Sequence, residues 1–199
     1  LLQRDFQLPS IQLHLHKAIP IGGGLGGGSS DAAATLQLLN TKYNLGISAA
    51  RLNSYAAQLG SDCPFFMLNK PCYATGRGEV LEEISVDLSA YSIAIVNPRI
   101  HVGTKWAFST LVLRSHKNAD LKKLIRLPVN EWKDLIINDF EEPVFTAYPE
   151  IAGIKNSLYE RGALYASLSG SGSSVYGIFR KDDVPQIDLP GHYFMKWTA

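Results

Sequence analysis

The sequence is poor in cysteine, in net charge and in long apolar runs, and each shortage argues against a class of protein. Two cysteines among 199 residues, with no CxxC pair, do not make a disulfide framework or a cysteine zinc site. A formal net charge of +1 offers no basic surface to nucleic acid or to a membrane. No apolar run approaches the roughly 18 residues that span a bilayer. We therefore expect a cytoplasmic protein with reduced thiols, without a membrane or nucleic-acid partner.

The start of the chain has neither an initiator methionine nor the zones of a signal peptide. It opens with "LLQRDF", which is typical of the end of a helix, and we expect an upstream segment. Composition leaves the oligomeric state open between a monomer and a homodimer.

The first half of the chain alternates strand and helix patterns. Residues 11–16, "IQLHLH", have the period-two pattern of a strand with one buried face, which places His14 and His16 together on the polar face. A metal held by these two histidines is the alternative interpretation, although no third ligand lies nearby in the sequence. Helical spacing then predicts a helix of about four turns that ends near Gly46. A second helix is predicted from the N-cap Ser48 to Gly60.

The second half predicts a split-βαβ unit in the approximate order βαββαβ. A hairpin at 72–84 precedes the unit. The unit itself consists of a buried strand at 92–98, helical stretches from 104 to 161, and strands at 164–168, 175–179 and 192–197. Pro185 and Pro190 leave little room for the helix before the last strand. We expect two domains that meet near residue 88, over residues 1–88 and 89–199.

Residues 19–36, "IPIGGGLGGGSSDAAATL", carry six glycines in seven positions. Each glycine costs roughly 0.5 to 1 kcal/mol relative to alanine in regular structure, so a cluster needs a reason. A strand, this loop and a helix start would leave several backbone N–H groups free for an anion, and a polyphosphate fits best. The alternative is a tight packing turn. The GxxxxGK[ST] motif is absent, and GxGxxG matches at Gly22, Gly24 and Gly27 without the acidic residue of dinucleotide sites.

The glycine segment resembles the ATP-phosphate loop of the GHMP kinases. Four further stretches resemble the 4-diphosphocytidyl-2-C-methyl-D-erythritol kinases of that superfamily, and they span nearly the whole chain in the right order. These stretches are "GSDCPFF" (60–66), "ATGRGEVL" (74–81), "NDFEEPVF" (138–145) and "LSGSGSSVYGIF" (168–179). The resemblance implies an α+β kinase fold with two domains, an N-terminal part like ribosomal protein S5 domain 2 and a ferredoxin-like C-terminal part. It also implies that the first strands of the family are missing here.

The resemblance implies ATP and Mg²⁺ as cofactors and a small molecule, 4-diphosphocytidyl-2-C-methyl-D-erythritol, as substrate. Asp62 is then the catalytic aspartate, which orients or takes the proton of the attacking hydroxyl. Without the family, Asp62 could cap a short helix whose N1 is Pro64. No metal ligand is chosen, because either Ser29 or Ser30 could serve and N-capping is compatible with both. The residues implied for ATP binding are Pro20, Gly22, Gly23, Gly24, Leu25, Gly26, Gly27, Gly28, Ser29 and Ser30.

Two elements of the second half are implied in substrate binding. The loop 169–174, "SGSGSS", resembles the family's second glycine loop, through Gly170, Ser171 and Gly172, although it is equally a hairpin connection. Phe108 is the aromatic expected to stack on cytosine. Trp106 is its close rival, and an aromatic at helical spacing is more often part of a core.

One departure from the family bears on activity. The family has a lysine and an asparagine on its first strand, ahead of the glycine loop, and Lys17 does not match that lysine. The alternatives to the expected reaction are therefore another GHMP small-molecule kinase and a nucleotide-binding fragment without catalysis.

Overall fold

The chain folds into two units, and each unit is built from two separate stretches of sequence. The computed structural model describes residues 1–111 and 120–198. Unit 1 comprises Leu1–Ala18 and Gly26–Ser85, and unit 2 comprises Ile19–Leu25 and Val86–Ala199. The glycine-rich segment is therefore divided between the units, at the peptide bond that joins Leu25 to Gly26.

Unit 1 contains four helices and one hairpin. They are α1 (Leu2–Asp5), α2 (Gly27–Lys42), α3 (Ala49–Leu59), α4 (Cys63–Leu68), β1 (Cys72–Thr75) and β2 (Val80–Glu83). The two strands pair antiparallel, with Thr75 opposite Val80, as the sequence predicts. The core of the unit is formed mainly by α2, α3 and α4, and its buried side chains are Leu2, Leu36, Ile47, Leu52, Tyr55, Ala56 and Cys63.

The predicted helix ends in unit 1 are largely confirmed. The Ser48 hydroxyl accepts a hydrogen bond from the Arg51 N–H at 3.4 Å, and α3 ends before Gly60. The preceding helix, α2, ends at Lys42 and not near Gly46. The Asn40 side chain explains the earlier stop, because its amide pairs with both backbone groups of Ile47 and closes the turn there.

The strand predicted at residues 11–16 is wrong. The segment has no strand structure, and Leu13 and Leu15, which were expected to be buried, are 61% and 65% exposed. An alternating pattern becomes a strand only when another strand supplies its hydrogen-bond partners, and among the described residues β1 and β2 pair with each other instead. His14 and His16 are exposed, and no three His, Cys, Asp or Glu side chains of the described chain are grouped to hold a metal ion.

Unit 2 is a four-stranded antiparallel sheet in the order β4-β5-β3-β6. Its strands are β3 (Tyr91–Asn97), β4 (Tyr165–Leu168), β5 (Val175–Arg180) and β6 (Phe194–Thr198). The helices are α5 (Thr104–Thr110), α6 (Leu121–Leu124), a 3-10 turn (Val129–Glu131), α7 (Glu141–Ala147) and α8 (Pro149–Glu160). This order fits the predicted βαββαβ unit, except that the described residues between β5 and β6 form no helix. Part of the predicted helical stretch, residues 112–119, lies outside the described residues.

Both faces of the unit 2 sheet are packed against other parts of the unit, and side chains alternate between the two faces along each strand. Ala94, Val96 and Phe179 face a core that includes Ile151 and Leu158 of α8. The opposite face packs against the segment around Trp132, through Ile93, Tyr165, Tyr176 and Ile178. Within the described residues no helix combines the length and the apolarity that crossing a bilayer requires.

Candidate functional site

Helix α2 begins without a side-chain cap. Its N-cap is Gly26, in the left-handed conformation (φ 65°), and the first turn contains no acidic residue. The N–H of Ser30 is bonded to the Gly26 carbonyl at 2.9 Å, so the three preceding N–H groups lie ahead of the regular helical hydrogen bonds. A β-carbon on Gly26 would lie 2.7 Å from the Phe66 ring, which explains glycine at this position. The helix start suits an anion.

Gly28 differs from the other glycines of the segment. A β-carbon at this position meets no described atom within 4 Å, and the residue lies in the first turn of α2. Alanine in a helix is more stable than glycine by about 1 kcal/mol, so the fold gains nothing from glycine here. The space that its missing side chain leaves is open.

Lys17 and Asp31 form an ion pair in unit 1. The Lys17 ammonium binds the Asp31 carboxylate of α2, and both side chains are half-buried. The pair tethers the irregular segment before the glycines to the second turn of α2. The pair could not be predicted from the sequence, because the two residues are brought together only by the fold.

Asp62 occupies the N-cap position of α4 without capping it. Its side chain makes no hydrogen bond to the helix, it is exposed, and its Oδ1 accepts a long hydrogen bond from the Ser61 hydroxyl, at 3.4 Å. Pro64 is the second residue of the helix and not the first. The capping alternative therefore supplies no bond that would explain an aspartate here.

The turn between β1 and β2 lies beside Asp62. Gly78 has φ +107°, and a β-carbon there would lie 3.4 Å from Asp62 Oδ1. Glu79 closes the turn by accepting the Arg77 N–H at 2.6 Å. Hydrogen bonds from its own backbone and from Arg77 hold the pKa of the Glu79 carboxyl below its usual value. The turn of the "ATGRGEVL" stretch thus places Gly78, which has no side chain, next to the Asp62 carboxylate.

Gly23 and Gly24 pack tightly within unit 2. The Ser174 N–H donates to the Gly23 carbonyl at 3.0 Å, and the Ser169 hydroxyl donates to the Gly24 carbonyl at 2.8 Å. β-Carbons at these glycines would lie 2.6 Å from Asn97 Nδ2 and 2.1 Å from the Ser169 carbonyl oxygen, respectively. The packing-turn alternative therefore explains these two glycines, whereas it does not explain Gly28.

The loop 169–174 connects β4 to β5, as the hairpin alternative predicted, and Asn97 holds its end. Asn97 is 1% exposed, and its Nδ2 donates to the hydroxyls of Ser173 (3.2 Å) and Ser174 (2.9 Å). Gly170 and Gly172 have φ of 55° and 88°, which disfavours side chains at both positions. Ser171, between them, is half-buried. Asn97 was not predicted as a functional residue, since its only signal in the sequence is a polar residue at the end of a buried strand.

Phe108, and not Trp106, presents an exposed ring on α5. Phe108 is 61% exposed and meets the Phe140 ring edge to face, with centroids 4.9 Å apart. Trp106 packs on the core of unit 2 and against Tyr148, with centroids 5.6 Å apart. Of the two rivals, Phe108 has the surface that a stacked base needs.

Known proteins resemble the chain along both halves. The GHMP kinases N terminal domain matches residues 1–70, and the GHMP kinases C terminal domain matches residues 113–187. A 4-diphosphocytidyl-2-C-methyl-D-erythritol kinase of Azobacteroides pseudotrichonymphae genomovar. CFP2 is 51% identical over 91% of this chain and 68% of its own length. The protein of the same name from Bacteroides fragilis is 48% identical over 92% of this chain and 66% of its own length.

Solved structures share the fold of this chain. A crystal structure of 4-(cytidine 5'-diphospho)-2C-methyl-D-erythritol kinase superposes with a TM-score of 0.69 at 30% identity, over 81% of this chain and 59% of that chain. A homoserine kinase from Cytophaga hutchinsonii shares the fold, with a TM-score of 0.59 at 18% identity.

The matches also define how much of the family is present. The chain spans about two thirds of the length of these curated relatives (68% and 66%). The expected α+β GHMP kinase fold is confirmed. The chain belongs to the 4-diphosphocytidyl-2-C-methyl-D-erythritol kinase family of the GHMP kinases.

Proposed function

We propose that this protein transfers the γ-phosphate of ATP to the 2-hydroxyl of 4-diphosphocytidyl-2-C-methyl-D-erythritol, a step of the non-mevalonate route to isoprenoid precursors. The observation that carries the proposal is the 51% identity, over 91% of the chain, to a relative named for the kinase that uses this substrate. The local geometry of the residues that the family motifs single out supports it.

The start of α2 is suited to hold the phosphates of ATP, which supplies the transferred phosphoryl group. A helix dipole contributes only about 0.3 to 2 kcal/mol, whereas millimolar affinity needs about 4 kcal/mol. Several donors must therefore act together, and the uncapped first turn, Gly27 to Ser29, offers them. The open space at Gly28 lets an anion approach the backbone without meeting a side chain. Pro20 and residues 22–26 complete the proposed phosphate-binding segment.

Mg²⁺ is proposed as the metal that accompanies ATP. This ion is usually held by one or two carboxylates together with phosphates and water, so it does not need a protein cage. The hydroxyls of Ser29 and Ser30 remain the protein ligands to test.

Asp62 is the proposed catalytic residue. Its exposed carboxylate has no helix-capping role and can accept the proton of the acceptor hydroxyl as that oxygen attacks phosphorus. Phosphoryl transfer depends mostly on positioning and on charge stabilisation, so one correctly placed carboxylate is sufficient as the base.

The substrate-binding residues are proposed in unit 2. Phe108 offers an exposed ring for the cytosine base, and Gly170, Ser171 and Gly172 form a loop whose glycine backbone can approach a phosphate or sugar closely. The loop lies between two buried strands, which hold its ends in place.

We also propose that the protein works in the cytoplasm. Cys63 and Cys72 are both free, as is usual in a reducing compartment. Fractionation of the source cells, with detection of the protein by antibody, tests this; recovery in a periplasmic or secreted fraction would contradict it.

An ADP-release assay tests the proposed reaction. The chain is given ATP, Mg²⁺ and 4-diphosphocytidyl-2-C-methyl-D-erythritol, and parallel reactions contain homoserine, mevalonate or galactose instead. We expect ADP release with the cytidine-containing acceptor alone. Turnover with another acceptor and not with this one would identify a different GHMP kinase. The second candidate is a nucleotide-binding module without catalysis, which is favoured because Lys17 does not match the lysine that the family has on its first strand. It predicts thermal stabilisation by ATP without transfer to any acceptor.

A further inference from the structure

We propose that residues 138–141 are a positioning element that orients both proposed substrate-binding elements of unit 2, the Phe108 ring and the loop 169–172. The inference rests on the proposed function for the role of those two elements. The contacts that carry it lie entirely within unit 2 and come from three side chains of one turn.

Asn138 fixes the start of the loop. Its Nδ2 donates to the carbonyl oxygens of Leu168, at 2.9 Å, and Gly170, at 2.8 Å. Its Oδ1 accepts the N–H of Phe140 at 3.0 Å, so the same side chain also fixes its own turn. One amide therefore joins the last residue of β4 and the first glycine of the loop to the turn before α7. A glycine with φ +55° has few local constraints, and this bond supplies one.

Glu141 holds the strand from which the loop leaves. It is 8% exposed, and its Oε1 accepts the Leu168 N–H at 3.0 Å and the Ser167 hydroxyl at 3.1 Å. Its Oε2 is paired with the Lys155 ammonium at 2.6 Å. A buried carboxylate is tolerated only when its oxygens are paired, and here each oxygen has a fixed partner. Leu168 is therefore bonded through its carbonyl to Asn138 and through its N–H to Glu141.

Phe140, between these two residues, sets the position of Phe108. The two rings meet edge to face, with centroids 4.9 Å apart and an interplanar angle of 77°. Phe140 also packs against the core of unit 2, whereas Phe108 is mostly exposed. A largely exposed ring on a seven-residue helix needs such a support if it is to present one face to a base. The turn that orients the loop thus also orients the stacking ring.

The expected signature is a specific loss of affinity for the cytidine-containing acceptor. A positioning residue of this kind acts through elements that touch the acceptor, so its loss should raise the KM of the acceptor and leave the KM of ATP unchanged. Each neutral hydrogen bond is worth about a twofold to twelvefold effect, and Asn138 makes two bonds to the loop and its preceding strand. We expect about a tenfold rise of the acceptor KM for Asn138→Ala.

The experiment compares Asn138→Ala, Asn138→Asp and Phe140→Leu with two matched controls in the 199-residue chain. Asn138→Asp keeps the acceptor for the Phe140 N–H and loses both donors to the carbonyl oxygens, so it should behave as Asn138→Ala does. The controls, Asn156→Ala and Glu160→Gln, change exposed residues of α8. One readout is the KM of each substrate. The other, which needs no activity, is hydrogen exchange of the amides in residues 168–174.

Faster exchange in residues 168–174 of both Asn138 variants, with no change in β6 or in the controls, supports the proposal. So does a rise in the KM of the acceptor alone, which Phe140→Leu should share. Unchanged exchange in residues 168–174 of the Asn138 variants overturns the proposal, and so does an equal rise in the KM of ATP. An unmodified chain that transfers no phosphate counts against the proposed function, while the exchange readout still decides the inference about residues 138–141.

Discussion

A β-carbon on Gly24 would lie 2.1 Å from the carbonyl oxygen of Ser169, a distance that the folded backbone cannot accept. Gly24 also has φ +75°, where side chains are strained. The segment 22–24 and the loop 169–174 therefore approach each other backbone to backbone. The glycines on this side of the segment serve the packing of unit 2.

Gly24→Ala should destabilise the protein strongly. Backbone strain of about 1 to 3 kcal/mol and overpacking of about 1 to 3 kcal/mol add to a loss of about 2 to 6 kcal/mol in the free energy of unfolding. Urea denaturation followed by circular dichroism measures it. A variant as stable as the parent would show that the close approach is not maintained in solution.

Gly28→Ala should have the opposite effect on stability. Because nothing described lies within 4 Å of its β-carbon, the fold should be unchanged or stabilised by up to about 1 kcal/mol. The added methyl group should weaken ATP binding at the helix start, which calorimetry measures. Unaltered ATP affinity would exclude Gly28 from the phosphate-binding segment.

Asp62→Asn should lower kcat by about 10²- to 10⁴-fold, because the amide cannot accept the proton of the acceptor. The melting temperature should stay the same, since the Asp62 side chain makes no cap bond. The matched control is Asp182→Asn, an exposed aspartate of unit 2, which should leave kcat unchanged. Equal kcat in Asp62→Asn and the parent would exclude Asp62 as the catalytic base.

The variants Phe108→Ala and Trp106→Ala should show which aromatic ring stacks on the cytosine base and which one packs in the core of unit 2. Loss of a base-stacking ring costs about 1 to 3 kcal/mol of binding, so Phe108→Ala should raise the KM of the cytidine-containing acceptor about 5- to 150-fold with little change in stability. Trp106→Ala should instead lower the free energy of unfolding, by up to about 3 to 5 kcal/mol, because this ring packs on the core. The reverse pattern would make Trp106 the stacking residue.

Ionisation of Tyr193 should lower the free energy of unfolding at alkaline pH. Burial, and then the hydrogen bond and charge of Glu150, raise the pKa of Tyr193 to about 12, from 10.0 in an unfolded chain. Unfolding therefore releases a proton between these values, and the free energy of unfolding falls as the pH rises from about 10 through about 12. Urea denaturation across this range should show a shallower fall for Tyr193→Phe. An identical pH dependence in that variant would contradict the assignment.

Local patterns in the sequence predicted the helices well. Helix α3 begins after the predicted N-cap Ser48 and ends before Gly60, because capping is decided by neighbouring residues. The alternation of apolar and polar residues at 11–16 gave a wrong strand prediction. A strand depends on a distant partner strand, and the described chain provides none for this segment. Leu13 is exposed as a result.

The supports of the candidate site could not be predicted in the same way. Asn97 and Ser174 are 77 residues apart in sequence, and Asn138 reaches the Gly170 carbonyl across 32 residues. Such bonds leave no periodic signal, since each needs only one polar residue at one place in the fold. The glycine segment could be found from composition, but only the structure separates Gly24, which the fold requires, from Gly28, which it does not.

The assignment of Ile19–Leu25 to unit 2 means that neither unit corresponds to a single stretch of the chain. During synthesis, these seven residues leave the ribosome well before the loop 169–174, to which Gly23 and Gly24 are finally hydrogen-bonded. A single proteolytic cut near residue 88 would still leave unit 2 in two fragments, held together only by non-covalent contacts. Gene fusions or domain exchanges that treat the two halves as independent cassettes would strip the second half of its own first segment.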